Sequence, residues 1–220
     1  MIKCCIFDLD GTVLDTINTI THYVNVTFEK HGIEKIDAEE CKYFAGDGAK
    51  LLIDRALFSK GITDAKLSER LLSEYNGAYN AENLYLTEVF DGISELIGGL
   101  KANGIKIALL SNKPDKTVQP IIKHFFDGVF DLALGAVEDM PLKPDPTVAK
   151  RMLSSLGIRE NETAWIGDTS TDVKTAKNLG VALNIGVLWG FRGADELTDA
   201  GADVLVTKPS EIFDAVIRAK

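Results

Sequence analysis

Short apolar runs separated by segments of helical spacing recur through most of this chain of 220 residues, and that alternation limits its fold more than any other feature. Runs at 2–9, 105–110, 129–134, 163–166, 181–187 and 203–206 have the length and the Ile, Val, Leu and Phe content of buried strands. Segments at 92–103, 116–126, 146–156, 171–179 and 209–219 place apolar residues at helical intervals. Asn103-Gly104 and Leu179-Gly180 set glycine just past the last periodic residue, which predicts two helix stops. Asp145-Pro146 predicts an N-cap followed by proline at the first helical position. Helices alternating with nearly continuous apolar strands predict an α/β fold, a parallel sheet with helices on both faces.

One stretch departs from the alternation. From 15 to 86 the chain reads as four to five successive helices without a convincing strand, at 18–31, 49–59 and 66–78 among others. An insertion directly after the first strand predicts an all-helical subdomain above the carboxyl edge of the sheet. Its hinges are expected near 14–16 and 86–90.

Charge and composition narrow the partners. Twenty-four basic and thirty-three acidic side chains give a formal charge of −9. Such a chain lacks the basic field that nonspecific nucleic-acid binding requires, and it repels anions at long range. An anion site must then rely on local cations and backbone donors. No apolar run approaches the roughly 20 residues that cross a bilayer, and the first residues lack a charged segment followed by a long apolar stretch, so export is not expected. Cys4, Cys5 and Cys41 form no CxxC pair, so reduced thiols in a cytoplasmic protein are expected.

In parallel sheets, ligands gather at the carboxyl ends of the strands. The residues delivered there are Asp8-Leu9-Asp10-Gly11-Thr12, Ser111-Asn112-Lys113, Lys143 before Pro144-Asp145-Pro146, and Gly167-Asp168-Thr169-Ser170-Thr171-Asp172. Clustered carboxylates repel unless a cation offsets them, and hard oxygen ligands without His or Cys favour Mg²⁺ over zinc. Asp8 and Asp168 are the expected ligands, with the Asp10 main-chain carbonyl as a third. A carboxylate beside Mg²⁺ can attack phosphorus, and Asp10, two residues on, suits the general acid and then base. Ser111, Asn112, the amides after Asp8 and Lys143 would hold the phosphate oxygens. Each motif alone has a plainer reading as a turn, a helix cap or a surface lysine. Together, in order at one sheet edge, they point to phosphoryl chemistry.

These motifs resemble those of the haloacid dehalogenase superfamily. Phe7-Asp8-Leu9-Asp10-Gly11-Thr12-Val13 looks like its opening signature, and the three later groups resemble its second, third and fourth motifs. The resemblance implies a Rossmann-like core at 1–14 and 87–220 with a helical cap at 15–86. It implies Asp8 as nucleophile, Asp10 as acid and base, Lys143 pairing with both nucleophile and phosphate, and Asp8, Asp10 and Asp168 around Mg²⁺. Thr12, Ser111 and Asn112 would contact substrate, and Asp172 would orient Lys143 or a metal-bound water.

Within the superfamily the chain is most similar to phosphoglycolate phosphatases, through Gly46-Asp47-Gly48-Ala49, Arg55-Ala56-Leu57 and Trp189-Gly190-Phe191-Arg192. Gly46 and Lys50 are then candidate substrate contacts, with Lys50 or Arg55 meeting a carboxylate. Trp189 and Phe191 read as packing residues. The expected substrate is a small phosphorylated metabolite handled by a monomer or homodimer. Pyrophosphatase, sugar-phosphate phosphatase and phosphomutase activities would use the same core residues, and a regulatory protein without catalysis is the reading from another class. A dinucleotide enzyme is disfavoured, because no GxGxxG follows the first strand.

Overall fold

The structure is a computed structural model that describes residues 1–219. The chain opens with β1 (Cys4–Phe7) and a two-residue strand β2 (Leu14–Asp15), then runs through α1 (Ile17–Lys30), α2 (Ala38–Phe44), α3 (Ala49–Ser59) and α4 (Ala65–Ala81). After the short β3 (Glu88–Val89) it alternates through α5 (Ile93–Ala102), β4 (Lys106–Pro114), α6 (Asp115–Phe125), β5 (Leu132–Ala136) and α7 (Thr147–Leu156). It ends with β6 (Thr163–Gly167), α8 (Ser170–Leu179), β7 (Leu183–Val187), α9 (Ala194–Ala200), β8 (Val204–Val206) and α10 (Pro209–Arg218). Two compact units result, Met1–Asp15 with the chain from Val89 onward, and Thr16–Glu88.

The first unit is an α/β, Rossmann-like core. Its six strands run in the order β5-β4-β1-β6-β7-β8, with every neighbouring pair parallel. From β1 the strand order runs outward to β4 on one side and β6 on the other. That reversal opens a crevice at the carboxyl end of β1, where ligands bind in open sheets of this kind. The strands are apolar because both faces are covered: Cys4, Cys5, Ile6 and Phe7 are all fully buried. On one face Ile6, Ala108, Leu110 and Trp165 pack with Met152, Leu153, Ala176 and Leu179 from α7 and α8.

Several elements differ from the sequence expectation, among them β5, α7 and α9. The third long strand starts at Leu132 rather than 129, because Val129 N–H turns back to the Phe126 carbonyl at 3.0 Å and Phe130 packs on the Phe126 ring. Its apolar residues therefore seal the end of α6. Helix α7 starts at Thr147, one residue past the expected proline, while Asp145 Oδ1 still accepts the Thr147 N–H at 2.8 Å. Helix α9 was not anticipated, since Leu197 is its one buried residue and leaves no readable apolar stripe.

The second unit, Thr16–Glu88, is helical. Asp37 and Glu40 form a capping box at α2, and Asp64 Oδ1 accepts the N–H groups of Lys66 and Leu67 at α4. Helices α1 and α4 bring Tyr23, Tyr75 and Tyr79 together, with Tyr23 donating its hydroxyl to the Glu82 carbonyl at 3.0 Å.

Ile6 is fully buried at the centre of the core sheet, so Ile6→Ala should cost about 2–5 kcal/mol. Urea denaturation followed by tryptophan fluorescence will measure it, and a loss below about 1 kcal/mol would contradict the packing described here.

Candidate active site

Asp8 leaves the sheet directly after β1, its N–H still bonded to the Ile166 carbonyl of β6 at 2.9 Å. The chain then folds tightly, with the N–H groups of Thr12, Val13 and Leu14 all returning to the Leu9 carbonyl. Gly11 permits this turn at φ +81°, and a Cβ there would collide with the Asp168 carboxylate. Gly190 faces the same carboxylate, and a Cβ on it would also collide. The two glycines therefore make room for Asp168 between the β1 and β7 loops.

Four charged side chains meet in this crevice. Lys143 Nζ lies 2.7 Å from Asp8 Oδ1 and 2.7 Å from Asp172 Oδ1, with the ammonium buried between them. It also sits 5.9 Å above the Trp165 ring, within cation–π range. Lys143 is delivered by the loop between β5 and α7, and Asn112 clamps that loop. Lys143 N–H donates to Asn112 Oδ1 at 2.8 Å, and Asn112 Nδ2 donates to the Lys143 carbonyl at 3.2 Å. The Asn112 amide, expected to meet substrate, holds the Lys143 backbone with both its ends.

Asp168 is equally constrained. Thr12 Oγ1 donates to its Oδ1 at 3.0 Å, and Phe191 N–H to its Oδ2 at 2.7 Å. The Thr12 hydroxyl, expected to reach substrate, is directed at this carboxylate. Trp189 Nε1 donates to the Thr12 carbonyl at 3.1 Å, so the 189–192 segment braces the turn after β1. Asp172 accepts from Thr169 Oγ1 at 2.7 Å within the capping box of α8 and orients Lys143 with its other oxygen.

Asp8, Asp168 and Asp172 each offer an oxygen within 4.8 Å of the others. Burial first, then Asp172 and Asp168, raises the Asp8 carboxyl well above the usual range against the pull of Lys143. Burial and Asp172 push the Asp168 carboxyl up to about 7. Burial opposes the Lys143 charge, but Asp172 and Asp8 keep its ammonium above the ordinary lysine value. Three carboxylates and one ammonium carry a net charge of −2 when all are ionised. That deficit suits one divalent cation with oxygen ligands.

Asp10 stands beside this cluster, its Oδ1 accepting from Lys113 Nζ at 2.7 Å. Ser111 Oγ is buried at the same edge and accepts the Lys113 N–H at 3.1 Å. Gly46 and Lys50 belong to the helical unit. Gly46 has φ +109° between α2 and α3, and Lys50 Nζ lies 2.6 Å from both Asp54 oxygens. Arg55 reaches the Phe44 carbonyl and Asp47. These cations are paired inside their own unit, a partnership the sequence reading did not foresee. Lys113 and Thr169 stood in the quoted motifs without a role of their own, and the Phe191 N–H was missed. Thr169 carried a further signal, the Thr-x-x-Asp spacing of a capping box.

The raised carboxyls have a consequence for stability. A carboxyl whose value rises from 3.8 unfolded to about 7 folded favours the folded state while protonated. That contribution is complete below the unfolded value and is lost as pH rises from about 4 through about 7. In EDTA, the melting temperature should fall across that window. Asp168→Asn should flatten the fall, because its amide can still accept from Phe191 while the Thr12 hydroxyl turns to accept. Equal pH slopes for both proteins would refute the assignment.

Comparison with known proteins agrees with this geometry. Residues 5–185 match the model of the haloacid dehalogenase-like hydrolases. A phosphoglycolate phosphatase of Rhodospirillum rubrum is 31% identical over 189 residues, covering 82% of this chain and 78% of its own. Another from Pseudomonas syringae pv. tomato is 32% identical, covering 98% of this chain and 78% of its own. A crystal structure from Lactobacillus delbrueckii subsp. bulgaricus, provisionally assigned as a phosphoglycolate phosphatase, superposes with a TM-score of 0.93 at 31% identity, covering 97% of this chain and 98% of that one. The chain is a phosphoric monoester hydrolase and belongs to the haloacid dehalogenase-like hydrolase family.

Proposed function

We propose that this enzyme hydrolyses a small phosphomonoester, foremost 2-phosphoglycolate, through a phosphorylated Asp8. The observation that carries the reading is the state of Asp8 Oδ1. This oxygen is buried and is paired with the Lys143 ammonium 2.7 Å away. A lone pair not turned to the ammonium can attack, while the ammonium offsets the charge of an incoming phosphoryl group.

Asp8 Oδ1 forms a bond to phosphorus as the bond from phosphorus to the ester oxygen breaks. The departing oxygen takes a proton from Asp10, and the alcohol leaves. A water molecule then gives a proton to the Asp10 carboxylate and attacks phosphorus, which releases phosphate and restores Asp8. Ser111 would hold a phosphoryl oxygen, and Asp172 would keep Lys143 in line. Mg²⁺, held by Asp8, Asp168 and the Asp10 carbonyl, would supply charge neutralisation at the phosphoryl oxygens. The surroundings suit such a cation, since Asp8 and Asp168 stand with Asp172 in a buried group of oxygen donors short of positive charge.

The helical unit, Thr16–Glu88, would act as the cap that selects the alcohol portion of the substrate, and the phosphoglycolate assignment rests on the named relatives. Pyrophosphate and sugar phosphates are the competing substrates. No helix among the described residues is long and apolar enough to cross a membrane. The free, buried Cys4, Cys5 and Cys41 suit a reducing cytoplasm.

Phosphate release from phosphoglycolate, pyrophosphate, sugar phosphates and p-nitrophenyl phosphate tests the reading. Phosphoglycolate should give the highest kcat/KM, EDTA should abolish turnover, and Asp8→Asn should lower it by roughly three orders of magnitude or more. A different preferred substrate would change the substrate assignment alone, whereas undiminished activity in Asp8→Asn would end the covalent mechanism.

A further inference from the structure

Lys113 belongs to none of the steps above, yet its ammonium is nearly buried against Asp10. The side chains are 9% and 16% exposed, and Nζ to Oδ1 is 2.7 Å. The backbone is built to put it there. Strand β4 lies parallel beside β1, with Phe7 opposite Leu109, so the residues after each pair continue side by side toward the crevice. Against β5 the register breaks: Leu110 faces Leu134 and Pro114 faces Ala136, so four steps on β4 match two on β5. Such irregularities re-aim side chains next to active sites. The Lys113 N–H, bonded to Ser111 Oγ, fixes the bend.

We propose that Lys113 is a positioning residue for Asp10, a role that rests on the acid and base reading of Asp10. By gripping Oδ1 it keeps the carboxylate turned away from the Asp8, Asp168 and Asp172 cluster and presents Oδ2 to the ester oxygen. Without it, the side chain would be free to rotate about χ1 and χ2, and the proton donor would lose its aim. A misplacement of about 1 Å in such a group costs about 10²-fold in rate. The ammonium itself neither gives up a proton nor touches substrate.

Leaving-group dependence separates this role from others. The value of kcat/KM reports steps through departure of the leaving group. An alkoxide leaving group needs the acid, whereas p-nitrophenolate departs without one. In Lys113→Met, kcat/KM for phosphoglycolate and for ethyl phosphate should each fall about 10²-fold, and for p-nitrophenyl phosphate less than about 5-fold. Asp10→Asn should show the same pattern, and the double variant should be no worse than Asp10→Asn. Lys113→Gln provides a second variant should the methionine fold poorly.

Loss with phosphoglycolate alone would make Lys113 a reader of the substrate carboxylate and overturn the proposal. Equal loss on all three substrates would mark a merely structural lysine, and no loss would remove it from the reaction; either overturns the proposal. If Asp10→Asn itself shows no leaving-group dependence, the acid assignment falls first. If Asp10→Asn shows it and the Lys113 variants do not, Lys113 alone is refuted.

Discussion

The buried ammonium of Lys143, held at 2.7 Å from both Asp8 and Asp172, is the contact on which the rest of this crevice depends. Three carboxylates within 4.8 Å repel one another, and their removal from water adds to the penalty. One shared cation lets two of them remain close. Removing one partner from such a buried pair is destabilising by about 3–5 kcal/mol, so each end of the contact supports the other. The surrounding fold is arranged to bring that ammonium in: the β4 edge supplies Asn112 as a backbone clamp, β6 supplies Trp165 beneath it, and α8 supplies Asp172 from its first turn.

The pairing is incomplete by design of its charges. Lys143 offsets one negative charge of three. Asp168 is held by Thr12 and the Phe191 N–H, but neither donor carries a full charge. Burial first, and then the remaining charge deficit, raises the Asp8 and Asp168 carboxyls, and a divalent cation and a phosphoryl group suit the same space. A chain of net charge −9 repels anions at a distance. Within the crevice, attraction comes from one lysine and directed backbone donors, short-range effects that the net charge does not cancel.

Much of this was legible before any coordinates. Short apolar runs alternating with helical spacing specified a parallel α/β sheet, because strands covered on both faces must be apolar throughout. Since ligands collect at the carboxyl ends of such strands, Asp8, Asp10, Ser111 and Asp168 could be picked out as strand-end residues, and Lys143 as the lysine of a following loop. The reading was weaker where local pattern and tertiary role diverged. Val129 and Phe130 are apolar enough for a strand, yet they pack back on Phe126 at the end of α6. Helix α9 has one buried residue, so periodicity could not reveal it. Lys50 and Arg55 looked like cations awaiting an anionic ligand, while helix geometry and the turn before α3 gave them Asp54 and Asp47.

The sequence by itself determined the fold class, the family and the set of polar residues at the sheet edge, because each is written in local periodicity or in contiguous motifs. Only the tertiary structure decided how those residues pair. Thr12 meets Asp168 across 156 positions, Lys113 meets Asp10 across 103, and Asn112 holds the backbone of Lys143 across 31. Such pairings depend on strand register, on the irregular step in β4 and on loop paths fixed by packing. A hydrogen bond is made or lost over about half an ångström. Residue type and spacing do not resolve positions that finely; the packed sheet and its loops do.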